Sequence, residues 1–127
     1  MSIARDHIRL RCEQETKNSL LRLRSFYISN SVQPDRLATA LRNAMDSFLG
    51  NLAVLWTLKT NQDPPNDEKE MLEQAARQFD FELDSLTGIF AFRNGGEQPE
   101  PSALKALYCA FMKNVERLAH LADQLDL

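Results

Sequence analysis

Between Pro34 and Thr60, apolar side chains recur every three or four residues: Leu37, Leu41, Met45, Phe48, Leu52, Leu55 and Leu58. No strand accommodates that spacing, because a strand's faces alternate every second residue. Leu49 and Trp56 widen the face, so the segment reads as a central helix touching at least two neighbours. Composition agrees with it. Leu occurs 19 times and Ala 13 times, whereas Val and Ile together occur 7 times, and helices draw on the first pair while strands draw on the second. At 127 residues the chain is expected to form one domain, 1–127. The predicted fold is all-α, an antiparallel up-and-down bundle of four to five helices.

The remaining elements follow from local signals. Ile8, Cys12, Thr16, Leu20, Leu23 and Tyr27 draw one face of a first helix, about Arg5 to Ser29, which Leu21, Phe26 and Ile28 are expected to widen. Pro34 suits the first turn of the second helix. Gly50 sits inside that helix at a cost of about 1 kcal/mol relative to Ala, which either a close approach of another helix or subunit offsets or the helix simply tolerates. Consecutive prolines make 61–66 a loop. Asn66 or Asp67 is the expected cap of a third helix, with an apolar face of Met71, Leu72, Ala75, Ala76 and Phe79 ending near Asp80. A short fourth helix, about Leu83 to Arg93, is expected to bury Leu86, Ile89 and Phe90 and to stop at Gly95-Gly96. A flexible acidic loop within 94–101 leads to Ser102, the expected cap of a last helix carrying Tyr108, Phe111, Val115, Leu118 and Leu125.

No apolar run approaches the roughly 20 residues of a membrane span, and the N-terminus lacks the apolar core of a signal peptide. No membrane association and a cytoplasmic setting are therefore expected. The net charge of −3 conceals an asymmetry. Residues 1–60 carry 9 Lys/Arg against 5 Asp/Glu, a balance of +4, and residues 61–127 carry 6 against 13, a balance of −7. Nine cations over sixty residues form no dense patch. Docking of basic helices on acidic ones, or simple solvation, is the expected reading, and nucleotide or RNA binding finds no direct support.

Chemistry-bearing residues are sparse. Cys12 and Cys109 fit no zinc or redox spacing and read as reduced thiols in partly apolar positions. Glu116, His120 and Asp123 could share a helix face, but no second group of ligands complements them, so neither a metal nor any other cofactor is expected. No phosphate-binding glycine motif is present. The most suggestive group is a polar strip on the second helix, Arg42, Asn43 and Asp46, continued by Ser47 and Asn51. Arg42 and Asp46 are four apart and are expected to pair there. Such a strip could grip a phosphate or a partner's backbone. These three residues, with Arg93, are the candidate contacts to a substrate or partner, and no catalytic residue is assigned.

Two stretches carry a family resemblance. Leu10-Arg11-Cys12-Glu13-Gln14-Glu15-Thr16-Lys17, continuing into Leu20-Leu21-Arg22-Leu23-Arg24, resembles the start of the helical domain that follows the catalytic domain of many bacterial predicted nucleotidyltransferases. Phe79-Asp80-Phe81-Glu82-Leu83, Ile89 to Gly95, and the helix ending Val115-Glu116-Arg117-Leu118 resemble the rest of that substrate-binding, HEPN-like domain. The resemblance implies a four- or five-helix bundle, often a homodimer, working beside a minimal nucleotidyltransferase partner. Many HEPN proteins are ribonucleases with an Arg-x(4–6)-His motif. Arg93-Asn94 supplies a first half here, but the next histidine is His120. The paired-aspartate signature of the nucleotidyltransferase itself is also absent. The expected function is thus a non-catalytic helical interaction domain that could help bind its partner's substrate. A degenerate ribonuclease acting through Arg93 or His120, or a metal-dependent bundle enzyme, is the alternative.

Overall fold

The computed structural model describes residues 3–125, and the expected domain extends beyond them by two residues at each end. Every regular element among the described residues is helical: α1 (Ile3–Asn30), α2 (Pro34–Thr60), α3 (Glu68–Phe79), α4 (Leu83–Arg93) and α5 (Pro101–Asp123). This is the all-α bundle expected from the α2 periodicity, with five helices.

Local chemistry sets the boundaries. Pro34 occupies the first turn of α2, and Asn61 ends the helix in the left-handed region at φ 58°, its N–H donating to Thr57 O. Gly95-Gly96 closes α4 as a Schellman turn. Gly95 sits at φ 100°, its N–H reaches Phe92 O, and Gly96 N–H donates to Ala91 O at 2.9 Å. Two expected caps differ. Asp67 stands at the N-cap of α3, but its carboxylate caps no backbone N–H. Ser102 lies inside the first turn of α5, because Pro101 already provides the pre-set φ of a helix start. The acidic loop is tied to α2 where Gln98 Nε2 donates to Asp35 Oδ1 at 3.2 Å.

α1, α2 and α5 form the body of the bundle. Arg5 Nη2 donates to Leu58 O (2.8 Å) and Arg9 Nη1 to Ala122 O (3.3 Å), so the start of α1 lies beside the ends of both α2 and α5. α1 therefore runs antiparallel to both, and its arginines satisfy C-terminal carbonyls at the negative ends of those helices. The core holds Leu41, Met45, Leu52, Leu55, Leu104 and Phe111 fully buried, each contributing roughly 1.5–3 kcal/mol. Phe48 meets Phe81 and Phe111 edge-on at 5.7 and 5.5 Å. Tyr108 buries its ring and donates its hydroxyl to Leu23 O at 2.8 Å.

α3 and α4 form an arm on this body. The loop through Pro64-Pro65 doubles back, so that α3 begins near Asp46 and ends with Phe79 against Trp56, running alongside α2 in the same direction. Asn114 of α5 fixes the α3–α4 corner. Its Oδ1 accepts from Glu82 N–H (2.9 Å), and its Nδ2 donates to Glu82 O (3.0 Å) and Ser85 Oγ (2.9 Å). In α4 it is Phe92, with Leu86 and Ile89, that is buried, while the expected Phe90 remains half-buried.

The face of α1 departs most from expectation. Cys12, Thr16, Leu20 and Leu23 are buried, but Ile8 is exposed, as are Leu21 (60%) and Ile28 (81%). The helix uses one flank against α2 and α5, so the apolar residues expected to widen that stripe point elsewhere.

Candidate functional site

The four candidate contact residues fall into two places. Arg93, at the last turn of α4, donates from Nε and Nη2 to Asp46 Oδ1 at 2.8 and 2.5 Å. Its Nη1 lies 3.6 Å from Glu68 and donates to Asn94 Oδ1 at 3.0 Å. The expected Arg42–Asp46 pair does not form. Arg42 instead lies over the Phe92 ring, 5.3 Å from its centroid. α4 brings Asp46 an arginine whose Nε and Nη2 both donate to one carboxylate oxygen, and Phe92 offers Arg42 an aromatic face. Arg42, Asp46 and Arg93 thus form one cluster, and its contacts hold the arm to α2. Asn43 is separate and faces a shallow hollow between α1 and α2.

Among the described residues, Arg93 and His120 have no hydrogen-bond or ion-pair partner in common. Glu68, the first residue of α3, contacts Arg93, and Phe79, the last, accepts from Arg117 at 3.1 Å. About 17 Å of helix therefore lies between Arg93 and Arg117, and His120 is one turn further along α5. Glu116 pairs with Arg24 at 3.2 Å, and among the described residues no three potential metal ligands come together.

The exposed surface of α2 and its neighbour α1 is more distinctive. Between Arg36 and Lys59, α2 has only two charged residues, Arg42 and Asp46, and both turn to α4. Its outward face carries Thr39, Asn43, Ser47, Gly50, Val54 and Thr57 at helical spacing, all small or uncharged. Beside it runs a trough between α1 and α2, about 740 Å³ at its largest hollow, where Arg22, Asn18, Ser47 and Asn51 line the walls. Arg22 and Ser47 continue into a second hollow, and Phe26, Ala40 and Asn43 into a third, so the trough follows most of the helix pair. Gly50 lies along it, and a Cβ placed there would meet nothing within 4 Å. Among the described residues, none supplies the close neighbour that would offset this glycine. Asn51, a mostly buried residue, also lines the trough.

A second surface lies on α1. The exposed large apolar residues among those described are Ile8, Leu10, Leu21, Ile28 and Val32, all on α1 or the turn after it. Leu10, Leu21 and Ile28 fall on one outward stripe. Nearby charges are already matched: Glu13 accepts from Arg9 (3.0 Å) and Lys17 (2.8 Å), and Arg24 pairs with Glu116. Lys17 beside it holds the Glu13 carboxyl below the usual carboxylate range, against the opposing pull of burial. Cys12, buried under the trough, donates to Asn51 O at 3.6 Å, and burial pushes its thiol up to about 11, far from a reactive thiolate. Cys109, expected in a partly apolar position, is exposed.

Sequence reasoning missed two features that had readable signals. The charge gap in α2 is visible as the uncharged series Thr39, Asn43, Ser47, Gly50, Val54 and Thr57. Asn114 stood at a core position, three after Phe111 and four before Leu118. Comparison with family models, curated proteins and solved structures found no match for the chain. No helix among the described residues is long and apolar enough to cross a membrane.

Proposed function

We propose that the chain is a non-catalytic helical interaction domain, HEPN-like in kind, that acts in the cytoplasm beside a minimal nucleotidyltransferase. The observation that carries this reading is the gathering of all the exposed large apolar side chains of the described residues on α1 and its following turn. Single exposed leucines are ordinary on a soluble surface, whereas a stripe of them on one helix marks a docking face. Leu10, Leu21 and Ile28 are the anchors for the nucleotidyltransferase. Asn43, free of the arm, is the candidate that remains available for that partner's substrate. Arg42, Asp46 and Arg93 contribute by holding the arm in place.

The test is to look for a minimal nucleotidyltransferase gene beside this one, whose absence overturns the reading, and to co-express its product with this chain, followed by size-exclusion chromatography. A stable complex is expected, abolished by Leu21→Asp with Ile28→Asp while the helical circular dichroism is retained. Absence of a complex overturns the reading. So does cleavage of RNA by the purified chain that Arg93→Ala or His120→Ala removes.

A further inference from the structure

We propose that α3 is a hinged leaf: it lifts off α2 as one unit while α4 stays seated, and it closes over Trp56 as a lid. The device is separate from whatever the outward face of α1 binds. Three observations converge on it. The first is a pair of hinges. Among the described residues, the non-glycine positions with positive φ are Asn61 (58°) and Asp80 (62°). They stand at the two ends of the segment that carries α3, one closing α2 and the other closing α3 itself. Asn and Asp enter the left-handed region more readily than other side chains, and a few positions at element ends are where a swinging segment absorbs its change in φ and ψ.

The second is an imbalance in polar ties. α4 is fixed from both sides: Asn114 binds Glu82 and Ser85 through three hydrogen bonds, and Arg93 donates twice to Asp46. Among the described residues, the polar ties of α3 to the rest of the molecule are confined to its tips. Glu68 meets Arg93 at 3.6 Å, and Phe79 O accepts from Arg117 at 3.1 Å. The Asp67 side chain caps none of the free N–H groups of its first turn. The third is what lies beneath. Met71, Leu72, Ala75 and Phe79 are buried and hold the leaf down. Trp56, 5% exposed, meets Phe79 edge-on, and its Nε1 is a buried donor without a partner among the described residues. That unmatched donor penalises the closed form alone, because lifting the leaf gives it to water. The apolar face therefore pulls α3 shut and the indole opposes closure, while the Glu68–Arg93 pair is a salt-sensitive latch at the free tip.

Native-state hydrogen exchange of the full chain, read residue by residue by NMR, tests this. Trp56 is the sole tryptophan, so its indole proton gives one signal. That proton and the α3 amides are expected to report one shared opening, about a hundredfold or more above that of the buried α2 and α5 amides, with the α4 amides staying in the slow group. Glu68→Gln is expected to speed the α3 group by about twofold, as for a partly exposed ion pair. Tyr108→Phe removes the hydroxyl that α5 donates to α1; it is expected to speed the slow group about fivefold and to leave the α3 group unchanged. Replacing Trp56 with its benzothiophene isostere keeps the ring shape and removes the donor, and is expected to slow the α3 group about tenfold. An indole proton that exchanges only with α2 and α5, or α4 amides that open together with α3, overturns the proposal. So does an α3 group that Tyr108→Phe speeds as much as the rest, or one that the isostere leaves unslowed.

Discussion

Asn114→Ala is expected to cost about 2–3 kcal/mol of folding stability. Its amide is 3% exposed and makes three hydrogen bonds, at 2.9, 3.0 and 2.9 Å, to Glu82 N–H, Glu82 O and Ser85 Oγ. Each such bond is worth about 1 kcal/mol net. A side chain removed from a packed site adds a cavity term, while water reaching the exposed Glu82 offsets part of the loss. Urea denaturation followed by circular dichroism measures the effect, and with a slope of roughly 1–3 kcal/mol per molar the midpoint is expected to fall by about 1 M or more. Ser85→Ala removes one of the three bonds and is expected to cost about 1 kcal/mol. The double variant is expected to lose less than the sum, because both residues belong to one network. A loss under about 0.5 kcal/mol for Asn114→Ala, or strict additivity with Ser85→Ala, would refute the claim that this amide holds the arm to α5.

Three further outcomes are expected. A double-mutant cycle on Asp46→Ala and Arg93→Ala is expected to give a coupling of about 0.5–1 kcal/mol, since Asp46 is 61% exposed, and a coupling near zero would mean that this ion pair does not help hold the arm. Because Lys17 lowers the Glu13 carboxyl from its ordinary value of 4.5, the stability this group contributes is present above that value and lost as pH falls through the depressed one; Glu13→Gln is expected to flatten that acid limb of the urea-midpoint profile, and an unchanged profile would contradict it. With a thiol reagent at pH 8, exposed Cys109 is expected to react quickly and Cys12 only on unfolding, which time-resolved mass spectrometry distinguishes from simultaneous labelling of both.

The α2 pattern made the fold class legible because each of its apolar residues, Leu37 through Leu58, votes on the same face within one segment. What lay between segments was less legible. Asp46 had a partner four residues away in Arg42, and nothing local shows that α4 delivers Arg93 from 47 residues on with better geometry. Leu21 and Ile28 read as core because apolar residues usually are, yet which flank of α1 is covered depends on where α2 and α5 lie. The contact strip on α2 was found as residues, but its division between the arm and the trough is a property of the assembled bundle. Gly50 was legible as an anomaly, and only the packing shows that no neighbour among the described residues explains it.

Trp56 is the chain's sole tryptophan. Its ring meets Phe79 edge-on at 5.7 Å, where the end of α3 closes over α2, and its Nε1 is buried without a hydrogen-bond partner among the described residues. The molecule's intrinsic fluorescence therefore watches one joint rather than the whole bundle. If the arm lifts while α1, α2 and α5 stay packed, the indole gains water and its emission shifts to the red before any large loss of helix. Emission and circular dichroism then separate two events that a single optical signal would merge.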